Sequence, residues 1–143
     1  MRPPIDTLHQ CYSDLLDMCD KLEAVADGLP DNVPPAYCAW LASEIVDLLA
    51  RTHLQEEAIL LPLLSGSPRP ELRQLASRLR EEHDYDDDAI LEVRDALLAI
   101  AARQPLHSAD ATGYLLRSFF GSLRRHVRAE KDLLAILAEG SLG

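Results

Sequence analysis

His9, His53 and Glu57, and again His83, His126 and Glu130, repeat one arrangement of metal-binding side chains. His53 lies 44 residues after His9, His126 lies 43 residues after His83, and in each case a glutamate follows four positions on. Residues four apart share one face of an α-helix, so each HxxxE sets an imidazole beside a carboxylate. A helix hairpin giving one histidine from its first arm and His plus Glu from its second makes half a site. Two such hairpins face to face bring together four imidazoles and two carboxylates. Buried groups of this kind need partners, because an unpaired buried carboxylate is strongly unfavourable. A dinuclear cation is their simplest common solution. Zinc is satisfied by fewer ligands in a tetrahedral set, so six nitrogen and oxygen ligands favour iron or manganese, and four imidazoles favour iron.

The elements that must position these groups follow from the breakers. A first helix is expected from about Asp6 to Asp27, with Gly28 as its C′ glycine and Leu8, Tyr12, Leu15, Cys19 and Leu22 on its inner stripe. A second starts near Pro35 and runs through Trp40, Ile45 and Leu49 into HLQEE. Pro62 removes a backbone donor and crowds the Ala58 carbonyl, so this helix is expected to kink or stop just past Glu57. A third runs from Pro70, a good first helical residue, to about Ala102, with Leu79, His83, Ile90, Val93 and Leu97 inward. Ser108 is the expected N-cap of a fourth that ends before Gly140, with Phe119, Leu123, His126 and Glu130 on one face.

Short connections make neighbours antiparallel, which predicts an all-α, up-down-up-down antiparallel four-helix bundle forming a single domain over residues 1–143. Ligand depths agree within each hairpin. His83 and His126, however, lie deeper in their helices than His9 and His53 do, so either the second hairpin overhangs the first or its ends are broken.

Composition supports packed helices: hydrophobic residues make up 48% and aromatics only 5%, with no alternating stretch that reads as a strand. A net charge of −10 argues against nucleic acid and anionic lipid as partners, and Arg124, Arg125 and Arg128 read as a solvated helix face. The first residues hold no apolar signal segment and no run is long enough to span a bilayer, which leaves a cytoplasmic protein as the expectation. Cys11, Cys19 and Cys38 show no CxxC spacing, and Cys11 and Cys19 fall about 12 Å apart along one helix, so reduced, buried thiols are expected. His107 precedes His126 by about 28 Å of helix and belongs to no common site with it. Glu56, about 100° round the helix from Glu57, reads as a salt-bridge or supporting residue.

His9, the HLQEE segment with His53 and Glu57, the EEH segment ending in His83, and HVRAEK with His126 and Glu130 resemble the hemerythrin-like, HHE cation-binding family over most of the chain. That resemblance implies a non-haem di-iron protein that binds or reacts with O₂, NO or peroxide, for sensing, storage or stress defence. The family also includes proteins that donate iron to, or repair, damaged iron centres, and a helical interaction module with a structural metal is a third reading. Oxygen carriers usually show HxxxH in the third helix and close with HxxxxD; here Asp87 stands at the first place and HxxxE ends in Glu130, a pattern closer to the repair proteins. With both glutamates bridging and two histidines per metal, each of two irons has four protein ligands. An oxo or hydroxo bridge makes five and leaves a position open. Asp87 could fill that position, accept a hydrogen bond from a ligand histidine, or stand in solvent with Asp86 and Asp88. Nothing in the pattern names a protein partner.

Overall fold

The structure, a computed structural model, describes residues 4–140, with side chains from 5 to 138. Its helices are α1 (Pro4–Gly28), α2 (Pro35–Gln55), α3 (Leu61–Ser65), α4 (Pro70–Ala101) and α5 (Ala109–Gly140), and a π-helical turn (Glu56–Leu60) joins α2 to α3. The described residues contain no strand. α1 packs on α2 and α5, and α4 packs on α2 and α5, closing the expected antiparallel four-helix ring. Among the described residues no helix is long and apolar enough to cross a membrane.

Sequence punctuation sets the helix limits. Pro35 and Pro70 each stand at the first helical positions, where a missing N–H costs nothing. The Ser108 hydroxyl accepts the Ala111 N–H at 3.1 Å, the expected N-cap of α5. At the other end of α4 the Gln104 N–H reaches the Ala99 carbonyl and the Arg103 N–H reaches that of Ile100, a Schellman cap with Arg103 in the left-handed region at φ 58°. Gly28, expected as a left-handed C′ residue, is instead the last residue of α1, and no glycine has positive φ among the described residues. Its carbonyl accepts the Asn32 N–H, and a Cβ there would lie 3.2 Å from the Val33 side chain, so close approach rather than backbone handedness accounts for glycine.

Helicity neither stops nor breaks at Pro62. The Leu61 N–H bonds to the Glu56 carbonyl, five residues back, and this wider turn carries the chain past the proline as far as Ser65. The extra residue also changes which side chains face inward. Regular α-helical phase would follow Leu49 and Glu56 with Leu63; instead Leu63 is 52% exposed and Leu64 is fully buried.

The core is a continuous leucine-rich column drawn from all four long helices. Each fully buried leucine contributes about 1.5–3 kcal/mol relative to exposure. α4 and α5 are 32 residues each and unbroken, against 25 for α1 and 21 for α2, so the second hairpin is the longer one. Arg124 is not simply solvated: it bonds to Asp20 at 2.7 Å and Glu23 at 3.0 Å, tying α5 to α1 across the outside.

Candidate metal centre

The apolar column is interrupted in one layer. Thr52, His53, Glu56, His83, Asp86 and Glu130 are all buried there, and Tyr12 joins them from α1. Each lies on its helix stripe for the same reason the leucines do. On α2, Glu56 follows Leu49 by seven residues, two helical turns; on α4, His83 and Asp86 continue the series Leu79, Ile90, Val93; on α5, Glu130 lies seven beyond Leu123.

Glu56 is the hub. Its Oε1 lies 2.9 Å from His83 Nε2, and its Oε2 accepts the Tyr12 O–H at 2.7 Å. His53, Glu56 and His83 each offer a ligand atom within 4.8 Å of the others. The His53 and His83 rings stack, centroids 3.9 Å apart. His126 Nδ1 lies 3.2 Å from Asp86 Oδ2 and His53 Nδ1 lies 2.9 Å from Asp87 Oδ1. His53, Glu56, Asp86, His126 and Glu130 line one small pocket of about 10 Å³, with Leu15, Leu49 and Leu123 on its apolar side.

The charges in this layer are mutually tuned. Burial tends to raise the Glu56 carboxyl, but hydrogen bonds with His83, Glu130 and Tyr12 outweigh it and hold the group below its ordinary value. Glu130 goes the other way: burial, then its contact with Glu56 and the nearby Glu82 and Asp86, raise it well above the usual range. Between them the two glutamates favour one negative charge and one retained proton. His53 is lowered by burial and by His83, whereas for His83 the Glu56 contact overcomes burial and raises it. His126 is raised by its bond to Asp86. Burial and both glutamates push the Tyr12 phenol far up.

Several sequence expectations meet in this layer and others do not. His53, His83, His126 and Glu130 come together. Asp87 accepts from His53 while its carboxylate stays 59% exposed, which places it among the supporting acceptors rather than inside. His9 is exposed, because Leu8 takes the inward place and His9 follows it about 100° round α1. Glu57 is exposed as well: it rims a surface groove with Leu54 and Asp87, and Glu56 takes the interior place at 1% exposure. The expected helix phase is corrected accordingly; pairing Glu57 with His53 by their four-residue spacing overlooked that His53 itself sits at the edge of the stripe. Asp86, grouped with the solvated aspartates, is buried. Glu56, Asp86 and Tyr12 carry one shared signal, their seven-residue spacing to core apolar residues on the same helix.

The donor set fits a metal. Three buried carboxylates and three imidazoles share the layer, and among the described residues no lysine or arginine bonds to Glu56, Asp86 or Glu130. His83 Nδ1 is a buried polar atom with no hydrogen-bond partner. Such an orphan costs about 1–3 kcal/mol, and a cation drawing on this ring and its neighbours relieves the mismatch. His107, by contrast, is exposed in the loop before α5, near the opposite end of the bundle.

The family model described as Hemerythrin HHE cation binding domain matches residues 3–137, nearly the whole chain. No curated protein and no solved structure matches. The chain belongs to that cation-binding family.

Proposed function

From membership of the hemerythrin HHE cation-binding family and the layer just described, we propose that this chain is a non-haem di-iron protein that binds or reacts with O₂, NO or peroxide. His53, Glu56 and His83 would hold one iron, and Asp86, His126 and Glu130 would hold the other. The ligand set takes Glu56 in place of Glu57 and omits His9. The observation that carries it is the buried trio of carboxylates facing three imidazoles, with no lysine or arginine bonded to them among the described residues.

Bound iron supplies Lewis acidity and one-electron redox chemistry. The protein supplies the surroundings. Leu15, Leu49 and Leu123 exclude water from one side of the pocket. In the metal-free layer Glu130 is raised and Glu56 lowered, so binding a cation would displace a proton from Glu130. Between α4 and α5 a groove of about 460 Å³ includes His126 and Glu130 in its lining, with Leu75, Leu79, Leu133 and Ile136 and the charged Arg78, Glu82 and Asp132. Mostly apolar walls with an excess of carboxylates over arginine, and a net charge of −10, favour a small uncharged molecule over an anion.

The test is anaerobic reconstitution with ferrous iron, followed by elemental analysis and absorption spectra before and after O₂, NO and hydrogen peroxide. Two irons per chain and a spectrum that responds to one of these molecules are expected. A single tightly held zinc with no iron uptake would sink the assignment.

A further inference from the structure

The first helix presents no imidazole to the buried layer. His9 faces solvent, and the side chain that α1 sends inward at this depth is Tyr12, with no exposed surface at all. Its hydroxyl donates to Glu56 Oε2 at 2.7 Å, while the other oxygen of the same carboxylate faces His83 Nε2 at 2.9 Å. Glu130 is the second carboxylate bearing on that hydroxyl. The two oxygens of Glu56 are therefore unlike: one is held from α1, the other is turned toward the two stacked histidines. A buried phenol needs a partner for its O–H, and here the partner is the hub of the cluster.

We propose that Tyr12 is the positioning residue of the metal centre: its hydroxyl, donated to Glu56 Oε2, fixes the rotation of that carboxylate so that Oε1 is the oxygen presented to the metal beside His53 and His83. This rests on the di-iron reading above. Tyr12 does not touch the metal in this role; it acts through Glu56. The ring is clamped on the α1 stripe between Leu8 and Leu15, both buried, so the hydroxyl has little freedom to follow a carboxylate that turns. A donated hydrogen bond also draws negative charge away from the carboxylate. Less charge is left for the metal, which favours the ferrous over the ferric state.

Tyr12→Phe removes the hydroxyl and keeps the ring. Helix content of the metal-free variant, by circular dichroism, should match that of the unaltered protein. Ferrous affinity should fall about ten- to hundredfold, the usual cost of losing a group that orients a metal ligand. Ferric affinity should fall less, so the midpoint potential should move negative. A purely structural role would lower both affinities alike and leave the potential where it was, and that result overturns the proposal. Spectra of the unaltered ferric protein give a second check that needs no variant. The proposal expects no tyrosinate-to-iron absorption band in the visible; such a band, lost in Tyr12→Phe, would make Tyr12 a ligand and overturn the positioning role. If the unaltered protein takes up no iron, the di-iron reading itself fails and this role goes with it. Equal iron binding and equal potentials in protein and variant refute the positioning role alone.

Discussion

The imidazoles of His53 and His83 lie face to face, ring centroids 3.9 Å apart with 15° between their planes. Two protonated imidazoles would repel strongly at that distance, so the pair favours at least one neutral ring, the form that binds a metal. Their carboxylate neighbours then decide how the layer behaves, and the clearest experiments act on those neighbours.

Glu56 and Glu57 are adjacent but face opposite environments. Glu56→Ala should remove the hub carboxylate and lose at least the iron that it would hold with His53 and His83. Glu57→Ala should retain both, since that side chain is exposed. Metal content after reconstitution and desalting separates the two; the reverse pattern would restore the four-residue pairing of Glu57 with His53.

Histidines can be sorted the same way. His9→Ala should leave iron content unchanged, as its ring is exposed. His83→Ala should lose at least one iron, because it removes the ring that meets Glu56 at 2.9 Å. A His9→Ala protein that no longer binds iron would contradict the placement of α1.

Helix phase beyond the site is tested by leucines. Leu64→Ala should cost about 2–5 kcal/mol in chemical denaturation, the range for a buried leucine. Leu63→Ala, at 52% exposure, should change stability by about 0.5 kcal/mol or less. Equal costs would mean that the π turn is absent in solution.

Thiol chemistry should be silent in the folded protein. Burial pushes the Cys19 thiol up to about 12, and Cys11 and Cys38 are also raised and buried. A raised thiol pKa leaves very little thiolate at pH 8. Alkylation with iodoacetamide should therefore be slow until denaturant is added, when three thiols should react. Rapid labelling of Cys19 under native conditions would contradict its burial.

Arg103 holds a left-handed conformation at φ 58° in the cap that ends α4. Such a conformation costs a side-chain-bearing residue about 1–2 kcal/mol, partly offset in glycine by the greater freedom of its unfolded chain. Arg103→Gly should thus stabilise the fold by about 0.5–1 kcal/mol. Thermal unfolding of the metal-free protein measures it, and a lower midpoint would argue against the cap.

Much of the fold was legible because its stops are chemical. Pro35, Pro70 and Ser108 mark helix starts through a missing donor or a capping oxygen, and those starts appear where expected. His83 and Glu130 were legible as inward residues because leucines flank them at helical spacing. Glu56 is less legible, because the four-residue spacing from His53 points to Glu57 while only the seven-residue spacing from Leu49 points to Glu56. His9 misleads in the same way, its neighbour Leu8 being the true inward residue. A one-residue difference rotates a side chain by about 100°, enough to exchange core for solvent. The π turn after Glu56 had only Pro62 to announce it, and a proline signals trouble without saying how the backbone will resolve it.

That turn has a consequence for how this rod can vary. It inserts one residue of rotation between the part of the helix that carries His53 and Glu56 and the part that carries Leu64. The two parts are thereby indexed separately, like two gears on one shaft joined by an adjustable coupling. Deleting a single residue within 57–60 should restore regular pitch and keep Leu64 in the core, then seven residues after Glu56, while everything before Glu56 keeps its bearing. The distal tip can then be rebuilt for another purpose without turning the buried hub away from its histidines.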